Sequence, residues 1–336
     1  MRTASADPAR TRRTGPDPAA AVLVISGAAC LSASAVFVKL ADIDAGTAAF
    51  LRCAIALVPL VPMLLFEARR NRALPWRLQA WSALAGVFLG IDYVMWTVSI
   101  LDVGAAISTV LINVQVLAFP LLARIFSGTQ IPRRFLHLSP LMLGGLAMAG
   151  GALSGSQQAV NPVRGTVLGI AAGVAYAVYL YLTRLAGERS PHHFVTPVCV
   201  STASAAVTSG AIGLLVTGLP LDIPAASWGW IAALALLGQV VAWLLIGRGT
   251  SRLAPNASAA LLLLQPVMAI GLGMLVLRET PTASQLTGCA LVVGAIWFAN
   301  RTRARLPRVR SRSAARCARG TWRHRRARAP GVRHLG

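Results

Sequence analysis

Negative charge is what this chain has least of. Ten Asp and Glu residues stand against 32 Lys and Arg, and charged residues make up 12% of the sequence where soluble domains carry about 25%. Histidine is scarce as well, at five, and none of the five falls deep within an apolar run. That scarcity, with no H-E-x-x-H and no G-x-S-x-G, leaves no metalloprotease-type helix and no nucleophile elbow. Five cysteines (Cys30, Cys53, Cys199, Cys289 and Cys317) form no C-x-x-C pair, so they read as small apolar fillers rather than disulfides or metal ligands. No cofactor motif appears.

What is present is apolar sequence. Hydrophobic residues make up 56% of the chain, and its mean hydropathy is +0.65. Runs of about 20 apolar residues, the length that crosses a hydrocarbon core, recur along most of it. Breaks at charged or Pro/Gly-rich points predict ten helices over 19–41, 45–66, 80–100, 103–126, 135–154, 165–186, 194–217, 227–247, 253–277 and 281–300. The expected class is an all-α polytopic membrane protein. Its segments are a polar, basic, disordered stretch at 1–18, a five-helix unit at 19–154, a second at 164–300 and an Arg-rich tail at 301–336.

The net charge of +22 is concentrated in that tail, where 13 arginines follow the last apolar run. Next to a membrane such a tail is an anchor to anionic lipid, and no nucleic-acid partner is expected. Arginines also crowd alternate loops: Arg69, Arg70, Arg72 and Arg77, then Arg133 and Arg134, then Arg248 and Arg252. The intervening loops hold Arg164 and Arg278 with most of the aspartates. The positive-inside rule therefore places both termini in the cytoplasm. One lysine against 31 arginines fits a high-GC bacterial genome, and hence a bacterial inner membrane.

The two five-helix units echo each other. At an offset of 150, Ala83-Leu84-Ala85 lies over Ala233-Leu234-Ala235, and Ser108, Leu111 and Gln115 lie over Ser258, Leu261 and Gln265. Leu136, Leu141 and Gly144 likewise match Leu286, Leu291 and Gly294. Five is odd, so the second copy crosses in the opposite sense. Inverted repeats are an architecture of secondary transporters, with a substrate site near midplane where the repeats meet.

Two stretches, FVKLADIDAGTAAFLRCAIALVPL and LLLLQPVMAIGLGMLVLRETPTASQLTGCALVVGAI, resemble the ten-helix drug/metabolite transporter superfamily of EamA type. Pro266, Glu279, Gln285, Gly288 and Gly294 stand in the spacing that family favours, whereas Thr129 occupies the place where the first half would carry a matching glutamate. The resemblance covers about residues 20–300. It implies ten helices around a central cavity, exporting small organic molecules such as amino acids or drug-like amphiphiles by alternating access. A channel or a small-molecule receptor is the alternative.

Asp92 lies near the centre of the third run, where a carboxylate costs about 2.5–3.5 kcal/mol to insert. It is expected to face a substrate or proton pathway, or else an intramembrane cation, for which Arg52 and Lys39 are the candidates for an ion pair or gate. At about 100° per residue Asp92 shares a stripe with Trp96, while Gly86 and Gly90 lie opposite and should pack on a neighbouring helix. Ser108 with Gln115, and Ser258 with Gln265, each share a helical face and could hydrogen-bond a substrate or simply join helices. Tyr176, Tyr179 and Trp243 are the aromatic candidates, with packing as the plainer role. Tyr93 and Trp243 are 150 apart, but Asp92 corresponds to Ala242.

Overall fold

The computed structural model describes residues 18–71, 74–128, 133–149, 160–190, 193–250, 252–253, 261–262 and 264–301. Their regular structure is helical throughout, in ten rods: α1 (Pro18–Ala41), α2 (Ala45–Arg70), α3 (Trp76–Val103), α4 (Ala105–Ser127), α5 (Arg133–Ala149), α6 (Pro162–Arg189), α7 (Val195–Val216), α8 (Ala225–Thr250), α9 (Leu264–Val276) and α10 (Ala283–Arg301). Seven of these, α1 to α4 and α6 to α8, are long and apolar enough to cross a membrane. Three shorter apolar helices complete the described set, at His137–Ala149, Leu264–Val276 and Ala283–Phe298. The expected tail, the 1–17 stretch and the first part of the ninth run lie outside the described residues.

The distribution of side chains is that of a protein solvated by lipid. Val58, Leu65, Phe66, Leu215 and Leu275 are exposed, whereas Ser32, Ser82, Thr97, Thr109 and Ser209 are buried. A backbone in hydrocarbon must satisfy its own polar groups, which selects helices. The buried hydroxyls follow the same rule by donating to the carbonyl four residues back, as Ser82 does to Leu78, Thr97 to Tyr93 and Ser209 to Ala205.

Two spans are not uniformly α-helical. α4 tightens into a 3-10 turn at Ile112–Val114, immediately before Gln115, and α8 widens into a π-helical stretch at Leu234–Val241. Such interruptions often mark functional positions, because they turn side chains away from the register of a regular helix.

Packing between rods has a pattern. α3 packs on α6 and on α7, and α8 packs on α1 and on α2. α4 packs on α6, and α9 on α1. α2 with α7, α4 with α9, and α5 with α10 are further pairs. Exchanging each helix for the one five places along converts these nine pairs into one another, whereas α2 on α3 and α1 on α3 have no counterpart of comparable extent in α7 on α8 and α6 on α8. The α3–α7 contact is close because Gly86 and Gly90 face α7: a Cβ on Gly90 would stand 2.8 Å from the Ala205 carbonyl oxygen, and one on Gly86 would collide with that of Ser201.

Candidate functional site

Arg52 lies two turns into α2, and the apolar sequence around it would let a long side chain reach for either face. Instead it turns inward and is 2% exposed. Its guanidinium lies 3.8 Å from the centre of the Tyr93 ring and 5.8 Å from that of Trp96, both on α3. Its Nη2 donates to Gln239 Oε1 at 3.4 Å, and the Tyr93 hydroxyl donates to the same oxygen. Gln239 comes from the π-helical stretch of α8, and its Nε2 donates to Thr202 on α7 at 3.2 Å. One amide thus joins α2, α3, α7 and α8.

Asp92, on α3, is 1% exposed. It sits within electrostatic reach of Arg52, Tyr93, Tyr176 and Tyr179. No hydrogen bond or ion pair closer than 4 Å joins Asp92 to Arg52, however, so the two are neighbours without being bonded. An aromatic wall adjoins them. Tyr176 and Tyr179 of α6 stack at 5.8 Å, and Trp243 of α8 meets them at 6.3 and 6.0 Å.

Several polar atoms in this neighbourhood are buried with no hydrogen-bond partner: Arg52 Nε and Nη1, Asp92 Oδ1, Trp96 Nε1 and Trp243 Nε1. Each such orphan costs roughly 1–3 kcal/mol, more when charged, so a concentration of them singles out this part of the bundle.

The helix ends are tied by the few carboxylates the chain possesses. Glu279, beyond α9, accepts from the Ala105 and Ala106 amides at 2.7 and 3.0 Å and so caps α4 from the other half of the chain. Gly104, at φ +93°, provides the turn that brings those amides to it. Glu67, near the end of α2, accepts from the amides of Phe194, Val195 and Thr196 at 2.7–2.9 Å and caps α7 in the same way. Asp102 holds Arg164 through two 2.7 Å bonds.

The model of the EamA-like transporter family matches residues 18–151 and again 163–301. The chain belongs to that family. A solved structure described as "Crystal structure of protein" is 17% identical, with a TM-score of 0.58, over 86% of this chain and 99% of that one, a likeness of fold. No curated protein matches the chain.

In this EamA-like transporter, Asp92, Trp96, Tyr176, Tyr179, Trp243 and Arg52 come together in one buried neighbourhood. Ser108 lies behind it, its hydroxyl 3.4 Å from the Trp96 carbonyl oxygen. Gln115, half-buried, leaves its Oε1 unpartnered at the 3-10 turn of α4. Gln265 is half-buried and enters the bonding through its backbone, accepting from Ser32 at 2.8 Å. Ser258 lies outside the described residues. Lys39 donates through its Nζ to the Leu101 carbonyl at 3.4 Å, at the far ends of α1 and α3.

Gln239 and Thr202 are the residues that sequence reasoning overlooked. The signal was available, since an amide inside LALLGQVV is costly at membrane depth and Thr202 is the 150-offset mate of Arg52. Among the described residues no group of three or more His, Cys, Asp and Glu gathers to hold a metal ion.

Proposed function

We propose that this EamA-like transporter is a secondary carrier that exports small organic molecules, amino acids or amphiphiles, from a bacterial cytoplasm by alternating access. Ten helices cross the inner membrane as two inverted five-helix repeats, with both termini in the cytoplasm and the Arg-rich tail on anionic lipid. The observation that carries the reading is the buried, incompletely bonded cluster of Arg52, Asp92, Trp96 and Trp243, built from helices of both halves. Intramembrane charges that lack partners mark substrate or ion pathways.

The exchange symmetry of those nine helix pairings supports the repeat, because it is what two halves related by a pseudo-twofold would produce. A carrier built this way rocks one half against the other about a site they share. Asp92 is the titratable group at that site and supplies proton coupling. A channel needs no such two-state pairing and builds its selectivity from rings of carbonyls or charges.

A metabolite-release screen on cells with and without the protein identifies a transported molecule. Flux of that molecule in proteoliposomes then separates the two readings. A carrier gives saturable flux that accelerates when the molecule is also present on the far side, and a linear, unsaturable flux would sink the proposal.

A further inference from the structure

Arg52 presents a chemical question that membership of a transporter family does not answer. A guanidinium stays protonated under all ordinary conditions, so burial cannot be relieved by releasing a proton. Burying it therefore demands an anion or a full set of acceptors. Arg52 is 2% exposed, the nearby Asp92 carboxylate accepts no bond from it, and its set of acceptors is incomplete. One nitrogen reaches Gln239 at 3.4 Å, and Nε and Nη1 have no acceptor at all.

Its surroundings hold it in place without completing its hydrogen bonding. Tyr93 and Trp96 cover its faces, and Gln239 is itself fixed by Tyr93 and Thr202. The guanidinium is thereby oriented with donors to spare. Trp96 Nε1 adds a further unpartnered donor, and Trp243 Nε1 another beside the tyrosines. These four orphan donors outnumber the orphan acceptors Asp92 Oδ1 and Gln115 Oε1, with the Ser99 hydroxyl able to act as either, so the deficit is of acceptor oxygen.

From this we infer that Arg52 is the group that binds the oxyanion of the transported molecule, and that the site takes an organic carboxylate with an apolar or aromatic body. The carboxylate completes the guanidinium's bonding, and the body lies against the wall of Tyr176, Tyr179 and Trp243. This rests on the carrier reading above but is narrower: it states the sign of the recognised charge. Guanidinium–carboxylate bonds are among the strongest available to a protein, and are stronger still away from water.

Equilibrium binding to the detergent-purified full chain tests it with three probes that share a phenylethyl body: 3-phenylpropionate, phenylalanine and phenethylamine. The first two carry a carboxylate and the last does not. The expected result is binding of both carboxylates with phenethylamine at least tenfold weaker. Arg52→Gln should lower carboxylate affinity tenfold or more, while Arg52→Lys, which keeps the charge, recovers part of it. The Lys variant and the wild-type probe order keep the test decisive if Arg52→Gln folds poorly. Tighter binding of phenethylamine, unchanged carboxylate affinity in Arg52→Gln, or no binding of any probe overturns the assignment. Saturable, trans-stimulated flux of a molecule without an oxyanion would overturn it too, while leaving the carrier reading standing.

Discussion

Removing the Glu279 carboxylate should loosen the junction between α9 and α4 by an amount the geometry fixes. Its two oxygens take the first two amides of α4, at 2.7 and 3.0 Å, and its own amide turns back to the Gly273 carbonyl at 3.0 Å. Hydrogen bonds to a charged group contribute about 1.5–3 kcal/mol each, and an anion at a helix N-terminus adds about 0.3–1 kcal/mol. Glu279 is only half-buried, so water replaces part of what is lost. Glu279→Ala is then expected to cost about 2–3 kcal/mol, and Glu279→Gln, which keeps one acceptor but no charge, roughly half of that. At roughly 2 °C per kcal/mol for a chain of this size, thermal unfolding of the detergent-purified protein should drop by about 4–6 °C and 2–3 °C respectively. The Glu side chain also crowds Gly104, where an added Cβ would lie 2.9 Å from Oε1. Gly104→Ala should therefore cost less in the Glu279→Ala background than alone, leaving the strain of φ +93°. Equal melting of wild type and Glu279→Ala, or full additivity with Gly104→Ala, would refute the cap.

Asp92→Asn is expected to abolish proton-dependent transport while insertion and folding stay intact, since the span loses its costliest residue; pH-dependent flux unchanged from wild type would remove Asp92 from the mechanism. Gly86→Leu should separate α3 from α7 and cost about 3 kcal/mol or more, because its Cβ would meet the Ser201 carbonyl and, at 2.7 Å, the Ser204 side chain. Gly144→Ala, on α5 with nothing within 4 Å, is the matched control and should melt no lower than wild type.

Residues whose placement carries a physical cost are the ones legible in sequence. Helical spacing alone sets Gly86 and Gly90 opposite Asp92 and Trp96, and the structure packs those glycines against α7 and buries Asp92 and Trp96. Helix boundaries were legible to within a few residues, yet α3 begins at Trp76 where 80 was expected, since amphiphilic ends blur composition. The destination of Arg52 was not legible. Hydropathy cannot say whether a long side chain reaches out or in, and here ring faces on α3 and an amide on α8 decide it. The roles of Glu67 and Glu279 escaped for a similar reason, because capping in trans joins residues that are 127 and 174 apart in the chain.

Those caps bear on how the halves are joined. Residues 44 and 194 open α2 and α7 and are 150 apart, as are residues 67 and 217 near their ends. At one end Asp44 caps α2, accepting from the Thr47 amide at 3.0 Å and from the Thr217 hydroxyl at 2.8 Å. At the other, position 194 has no acid, and Glu67 of the neighbouring helix supplies the carboxylate instead. The pair is thus latched at both ends by complementary solutions to one need, an anion at each helix N-terminus. Midway, Arg52 and Thr202, also 150 apart, are bridged by Gln239. The latches are unequal. Asp44→Ala removes one cap amide bond and two longer or more exposed hydroxyl contacts, about 1–1.5 kcal/mol. Glu67→Ala strips three amides and the Thr196 hydroxyl of a charged acceptor, about 3–4 kcal/mol. Unfolding of the two variants should rank them in that order, and an equal or reversed ranking would mean that α2 and α7 are held by their packed faces rather than by their ends.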